Sequence, residues 1–383
     1  MFARFEAALA QAIDRGRIAG GVALALDRDG VTYSHAAGAR TVGEAAPMDL
    51  ATVFWIASMT KAVASVAALQ LVERGAVSLD GDLSALVPEL GRLQVLETAA
   101  EGTRSLRPAK RAPTLRELLT HTSGFAYGFS SADFAAHLET TGGNPNDGAR
   151  ASLLQPLLFD PGEGWVYGIG IDWAGVVIEA ASGQGLGAYL AEHVFGPLGM
   201  TDTGFSTTEA QARRRAGVHV RGPDGLMAIP FNMPKDPEIP SAGGGLYATV
   251  PDYGRFLRML LNGGALDGAR ILSADTVREL SRPQTGDRRT GWWKTAQPNF
   301  SNDFDLHPGL DAGHGLATMV APADLPRRRR AGALAWGGLA NTYYWADPTA
   351  GKAGVLMTQL LPFGDPEVLG LLDVLERDVY GVA

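Results

Sequence analysis

The four residues Ser58-Met59-Thr60-Lys61 set a hydroxyl and an amine three positions apart. At the start of a helix, residues i and i+3 share a face, so the amine can come within hydrogen-bond reach of the hydroxyl. A serine hydroxyl is a weak nucleophile until a base takes its proton. A buried lysine can lose its charge and serve as that base. The helix N-terminus adds free backbone N–H groups and positive potential at the same place. The plain alternative is a capping serine beside a solvated lysine. The pattern Ser-x-x-Lys occurs once in the chain, at a strand-to-helix junction expected from the flanking sequence.

A second candidate is Tyr167, within Trp165-Val166-Tyr167-Gly168-Ile169-Gly170-Ile171-Asp172. A phenol beside an ammonium can shuttle a proton between a nucleophile and a leaving group. The alternative is a half-buried aromatic whose hydroxyl meets a backbone carbonyl. Asp172 stands where a helix N-cap is expected and is read as one. A third candidate is Trp336-Gly337-Gly338 at the end of an expected strand. Two glycines there allow a ligand to approach the backbone. An N–H just after them can face that of Ser58 and form an oxyanion hole. His121 is assigned to local backbone hydrogen bonding, and Tyr127 is a further candidate for lining the site.

These residues need a scaffold, and the hydropathy pattern outlines one. Phe2, Phe5, Leu9 and Ile13 recur at helical spacing. Val22, Leu24 and Leu26, then Asp29-Gly30, then Val31 and Tyr33 read as a β-hairpin. Val53 to Ala57 is a short buried strand or turn that delivers the chain to Ser58. From Ser58 to Arg74 the sequence is apolar on most helical faces, which marks a central, buried helix. Helices are expected at Thr114 to Thr120, Asp172 to Ala181 and Leu186 to Phe195, among Gly- and Pro-rich loops. Ala333 to Trp336, Thr342 to Ala346 and Ala353 to Gln359 read as three successive strands. Asp365-Pro366 then opens a last helix with Asp as N-cap and Pro at the first position. This order predicts an α+β fold: an antiparallel sheet built from both chain ends, flanked by helices. Residues 1–85 and 241–383 form one discontinuous lobe, and 86–240 form an inserted, mostly helical lobe.

Composition removes several function classes. Of 383 residues 46% are apolar and 19% charged, with a net charge of −8. That supports a large core and argues against a nucleic-acid-coating protein. The one basic run, Arg327 to Arg330, reads as a solvated loop. No cysteine is present, which excludes disulfides and thiolate chemistry. The seven histidines show no metal-ligand spacing, so neither a metal nor another cofactor is expected. Gly-x-Ser-x-Gly is absent, against a nucleophile elbow. The N-terminus has no signal-peptide pattern and no apolar run spans a bilayer, so a soluble cytoplasmic protein is expected.

Taken together, the landmarks resemble the serine β-lactamase-related hydrolases: class C β-lactamases, family VIII carboxylesterases and related acyltransferases. They are Ser58-Met59-Thr60-Lys61 (the SxxK motif), Leu118-Leu119-Thr120-His121-Thr122-Ser123-Gly124, Tyr167, Phe195-Gly196-Pro197-Leu198-Gly199-Met200, Ala242-Gly243-Gly244-Gly245-Leu246 and Trp336-Gly337-Gly338. They span nearly the whole chain in order. The resemblance implies a β-lactamase/transpeptidase-like fold with the site between two lobes. It makes Ser58 the acylated nucleophile, Lys61 and Tyr167 the general-base pair, and the N–H groups of Ser58 and Leu339 the oxyanion hole. Trp336, Gly337, Gly338 and Tyr127 are then substrate-binding. The sequence departs from class C enzymes where they carry Tyr-x-Asn, since Gly168 and Ile169 follow Tyr167 here. It departs again where they carry Lys-Thr-Gly and this chain carries Trp336-Gly337-Gly338. Loss of that lysine removes a charge-assisted partner for a substrate carboxylate, worth about 1.5–3 kcal/mol. The resemblance therefore implies a small-molecule ester as substrate, hydrolysed through an acyl-enzyme. Acyl transfer, β-lactam or D-amino-acid peptide hydrolysis, and a non-enzymatic penicillin sensor are the alternatives. The segment 281–326, with Trp292, Trp293, Phe300 and Phe304, is either an acyl-pocket loop or a surface loop with its own aromatic cluster.

Overall fold

A computed structural model describes residues 2–288, 290–306, 313–316, 318–326 and 328–381. Arg327 and parts of the 281–326 segment lie outside the described residues. The described residues form an α+β fold, an antiparallel sheet flanked by helices, as the pattern predicts.

The first helix, α1 (Ala3–Asp14), buries Phe5, Leu9 and Ala12 on one stripe. Strands β1 (Gly20–Asp27) and β2 (Val31–Gly38) follow as a hairpin. Its turn is fixed by the Asp27 carboxylate, which accepts from the N–H groups of Asp29 and Gly30. The central helix α2 (Thr60–Glu73) is buried at every position from Thr60 to Leu71. An element with no polar face has no solvent side, which is why it sits in the middle of the core. Helix α3 (Leu115–Thr120) starts in a capping box, with Thr114 and Glu117 satisfying each other's free N–H groups. Helix α4 (Gly170–Ser182) packs against both α2 and α3. Helix α5 (Val250–Leu261) precedes the late strands.

Five more strands complete the main sheet: β3 (Gly313–His314), β4 (Met319–Val320), β5 (Leu334–Gly338), β6 (Thr342–Asp347) and β7 (Lys352–Met357). Among the described residues the order is β3-β4-β5-β6-β7-β1-β2, with every neighbouring pair antiparallel. The two chain ends meet at the β7–β1 pairing, where Leu24 lies opposite Val355. Successive residues of a strand point to opposite faces. A side chain at Gly21 would meet Leu9 of α1, whereas Leu24 and Leu26 reach Gly254 of α5. Helices therefore cover both faces. The closing helix α6 (Pro366–Val379) opens with the Asp365 side chain accepting from the N–H groups of Glu367 and Val368. Its Asp378 carboxylate accepts from the Phe5 N–H and from Arg4, tying the last helix to the first.

The stretch 86–240 gives no strand to this sheet. Besides its helices it holds two hairpins that the pattern did not indicate, Gln94–Thr98 with Arg104–Pro108 and Val218–Gly222 with Gly225–Ile229. No helix among the described residues is long and apolar enough to cross a membrane.

Candidate active site

The chain reaches Ser58 through a bend held by the neighbouring segment 241–248. Phe54 and Trp55 pair with Ala248 and Tyr247, and the Ile56 N–H donates to the Leu246 carbonyl at 3.0 Å. Ala57 then adopts a φ of 44°, a left-handed conformation that a residue with a Cβ rarely takes. One 3-10 turn, Ala57–Met59, leads into α2. This puts Ser58 at the helix start, half-buried, with Lys61 fully buried one turn on.

The Lys61 amine has three polar neighbours. Nζ lies 3.2 Å from Ser58 Oγ, 2.9 Å from the Tyr127 hydroxyl and 2.6 Å from the Gly243 carbonyl oxygen. The expected pairing of hydroxyl and amine is thus present as a direct contact. The phenol hydrogen-bonded to the amine belongs to Tyr127. Tyr167 turns its ring to the amine, with Nζ 4.9 Å from the ring centroid, and the Tyr127 and Tyr167 rings are 5.2 Å apart. The Tyr167 hydroxyl accepts from Trp336 Nε1–H at 3.1 Å. Ser58, Lys61, Tyr127 and Tyr167 therefore share one cluster.

Glycines explain how Tyr127 reaches it. A Cβ on Gly168 would lie 2.0 Å from the Phe125 carbonyl oxygen, so only glycine lets the two backbones touch. The loop is then fastened by the Tyr127 N–H and the Ser130 hydroxyl, both donating to the Tyr167 carbonyl at 3.1 and 2.6 Å. The position after Tyr167 is thus filled by a neighbouring loop, and Ile169, which stands where Tyr-x-Asn has its asparagine, is buried in the core.

Burial, the Asp172 carboxylate and Tyr167 together push the Tyr127 phenol well above its ordinary pKa. At neutral pH it is a protonated hydroxyl. His121 is also buried, and burial, His314 and the nearby Lys61 hold it well below the ordinary histidine range. Burial depresses His314 to about 4, with the Gly315 carbonyl opposing and Lys61 adding. Both rings are neutral at pH 7. His121 Nδ1 accepts from the Gly168 N–H at 3.3 Å, so its proton is on Nε2. His314 Nδ1–H donates to the Gly315 carbonyl at 2.7 Å.

A cavity of about 590 Å³ opens over Ser58. Its walls include Trp55, Tyr127, Phe129, Phe231, Met233 and Leu339. Leu339 N–H follows β5, and Gly338 explains how that strand end comes so near Ser58. A Cβ there would sit 2.2 Å from the Ile56 carbonyl oxygen, so the close neighbour of this glycine is protein backbone and not open cavity. Gly337 likewise faces the Tyr343 and Phe363 rings. Trp336 is buried and is not among the lining residues; its indole is spent on Tyr167. Of the four residues expected to touch substrate, Tyr127 lines the cavity, whereas Trp336, Gly337 and Gly338 shape it from behind. In the 281–326 segment, Gln297 and Phe300 line the cavity, and Trp293 stacks on Tyr167 with centroids 5.4 Å apart.

Asp172 differs most from expectation. It is the third residue of α4, whose N-cap position is Ile169, so it caps nothing. It is buried, and Oδ1 accepts from Ser241 Oγ at 2.7 Å and from the Gly243 N–H at 3.0 Å. The helix begins two residues earlier than the Gly-rich loop suggests, and this turns the carboxylate inward. Among the described residues no group of three or more His, Asp or Glu side chains could hold a metal ion.

The beta-lactamase family model matches residues 5–376. The chain is 32% identical to monacolin J acid methylbutanoyltransferase of Aspergillus terreus, over 98% of this chain and 94% of that protein. It is 32% identical to lovastatin esterase of Penicillium rubens, over 96% of each. A solved structure of a mutant simvastatin synthase from Aspergillus terreus superposes with a TM-score of 0.85 at 31% identity, covering 99% of this chain and 96% of that one. The SxxK-type landmarks, the fold and these relatives agree: the chain belongs to the beta-lactamase family, among its serine hydrolases and acyltransferases.

Proposed function

We propose that this protein is a serine carboxylesterase that hydrolyses small to medium neutral esters through an acyl-enzyme on Ser58. The observation that carries the reading is the buried Lys61 amine 3.2 Å from Ser58 Oγ at the floor of a large, mostly apolar cavity. Lys61 takes the Ser58 proton as Oγ attacks the ester carbonyl. The backbone N–H groups of Ser58 and Leu339 receive the oxyanion; both residues line the cavity. As the tetrahedral intermediate collapses, the alkoxide takes a proton from the Lys61–tyrosine cluster and leaves as alcohol. Tyr127 lines the cavity and bonds to Lys61, so it is suited to deliver that proton. Tyr167, its oxygen held by the Trp336 indole, stands as the second phenol of the cluster. Water then attacks the acyl carbonyl, and the carboxylic acid leaves.

Charge supports neutral substrates. The charged residue among the cavity-lining side chains is Glu139; no lysine or arginine is there among the described residues. A substrate carboxylate forgoes a charge-assisted hydrogen bond, about 1.5–3 kcal/mol. Turnover of p-nitrophenyl butyrate is expected to exceed that of nitrocefin by at least about tenfold in kcat/KM, which such a difference would produce. Equal turnover of the two would overturn the preference.

Acyl transfer is the second reading, favoured by the 32% identity with a methylbutanoyltransferase. Adding 1-butanol to the ester assay separates the two. Butyric acid as main product supports the esterase; butyl butyrate as main product supports the transferase.

A further inference from the structure

We propose that Asp172 is a positioning residue for the nucleophile's base, acting on Lys61 through the Gly243 carbonyl. The proposal rests on the reading of Ser58 as nucleophile and Lys61 as its base. Asp172 is fully inside the protein, and its carboxylate is not used for helix capping. One oxygen holds two groups of the 241–246 segment, the Ser241 hydroxyl and the Gly243 N–H. That segment turns its next two carbonyls onto the active site. Gly243 O accepts from Lys61 Nζ at 2.6 Å, and Gly244 O accepts from Trp55 Nε1–H at 2.7 Å. The packing around Gly243 is tight. A Cβ there would lie 2.4 Å from Asp172 Oδ2 and 3.0 Å from the Tyr127 hydroxyl.

The chemistry follows from what each neighbour of Nζ can do. A carbonyl oxygen accepts hydrogen bonds and cannot donate. Facing Gly243 O, the amine must present an N–H. The hydroxyls of Ser58 and Tyr127 can donate or accept. When Lys61 is neutral, its lone pair is therefore left for one of these two hydroxyls, which is the orientation a base needs. A carbonyl displaced from this place frees the amine to rotate its lone pair away from Ser58. Asp172 holds the carbonyl there without touching the substrate or the amine itself.

The test uses the full chain with p-nitrophenyl butyrate and three variants, each checked by thermal melting. Asp172→Leu keeps the branched shape and the number of heavy atoms and removes both accepted hydrogen bonds. It is expected to lower kcat by about 100-fold, the lower end of what general-base chemistry contributes, with KM within about threefold of wild type. Asp172→Asn retains an accepting oxygen and is expected to restore kcat to within about fivefold of wild type, because the role lies in hydrogen-bond geometry. Ser58→Ala marks the floor. A folded Asp172→Leu with wild-type kcat, or with its loss confined to KM, overturns the proposal while leaving the nucleophile intact. A folded Asp172→Asn as impaired as the leucine variant overturns it too. Wild-type turnover by Ser58→Ala instead sinks the underlying reading. If Asp172→Leu does not fold, Ser241→Ala takes its place. It removes one of the two bonds at the carboxylate and should lower kcat by about three- to tenfold, a modest share of the general-base effect; unchanged kcat overturns the proposal.

Discussion

Lys61 is where the local and the long-range parts of the site meet. Its contact with Ser58 is written in four consecutive residues, because helix geometry alone brings positions i and i+3 together. Its contact with Tyr127 spans 66 positions and has no local signature. The sequence around Tyr167 looks more like a catalytic motif, yet it is Tyr127 that bonds to the amine. The signal that could have found it is Gly168, a residue too small for its place unless another backbone fills the space. Asp172 resembles an N-cap because it follows a glycine-rich loop, but the helix starts two residues earlier, at Gly170, and this places Asp172 inside the protein. The proton path makes a prediction at this scale. Tyr127→Phe removes a hydroxyl bonded to Lys61, the proposed base, and Tyr167→Phe removes one held by Trp336. Each is expected to lower the acylation rate by about 10²-fold or more, as loss of a proton-transfer group does. Stopped-flow bursts with p-nitrophenyl butyrate measure this. A wild-type burst rate in either variant removes that phenol from the path.

The elements that carry the site differ in how plainly they read. Strand β2, exposed or half-exposed throughout, is read from the Asp29-Gly30 turn and its alternation. Strand β1, the buried α2 and the capped α6 each bury one face or all faces, which leaves a period or an unbroken apolar run in the sequence. The hairpins at 94–108 and 218–229 do not. Arg104–Pro108 is exposed or half-exposed along its whole length, and so is Gly225–Ile229. A strand without a buried side need keep no alternation. Gly338 and Gly168 act between elements. The first brings β5 against the bend before Ser58, and the second brings the Tyr127 loop against Tyr167. Gly168→Ala should drive a methyl group into the Phe125 carbonyl. The expected result is a folded protein destabilised by about 1–3 kcal/mol, the usual range for overpacking. Its kcat should fall more than Ser58 labelling does, because Tyr127 is displaced and Ser58 is not. Chemical denaturation and turnover together check this; unchanged stability contradicts the tight approach.

For the molecule as a whole, the cluster's dependence on burial carries a consequence for acid stability. His314 ionises at about 4 in the folded chain against an ordinary value of 6.5. The folded state thus resists a proton that the unfolded chain accepts. Above pH 6.5 both states are neutral and the full stability is present. Between pH 6.5 and about 4 only the unfolded chain gains the proton, so stability falls as pH falls. Below about 4 both are protonated and the fall from this group ends. The interval corresponds to about 3 kcal/mol. His121 is shifted in the same direction by burial and by its neighbours His314 and Lys61. Urea unfolding of wild type and His314→Gln from pH 7 to 4 should show a steeper loss in the wild type. Parallel curves would contradict a neutral, buried imidazole.

The most direct test of the acyl-enzyme is covalent. Incubating the protein with an alkyl fluorophosphonate, whose P–F bond breaks as the serine oxygen bonds to phosphorus, and mapping the adduct by peptide mass spectrometry reports which side chain is the nucleophile. A single stoichiometric adduct on the peptide holding Ser58, absent in Ser58→Ala together with ester turnover, is the result expected. An adduct on another residue, or ester hydrolysis that survives in Ser58→Ala at the wild-type rate, would contradict it.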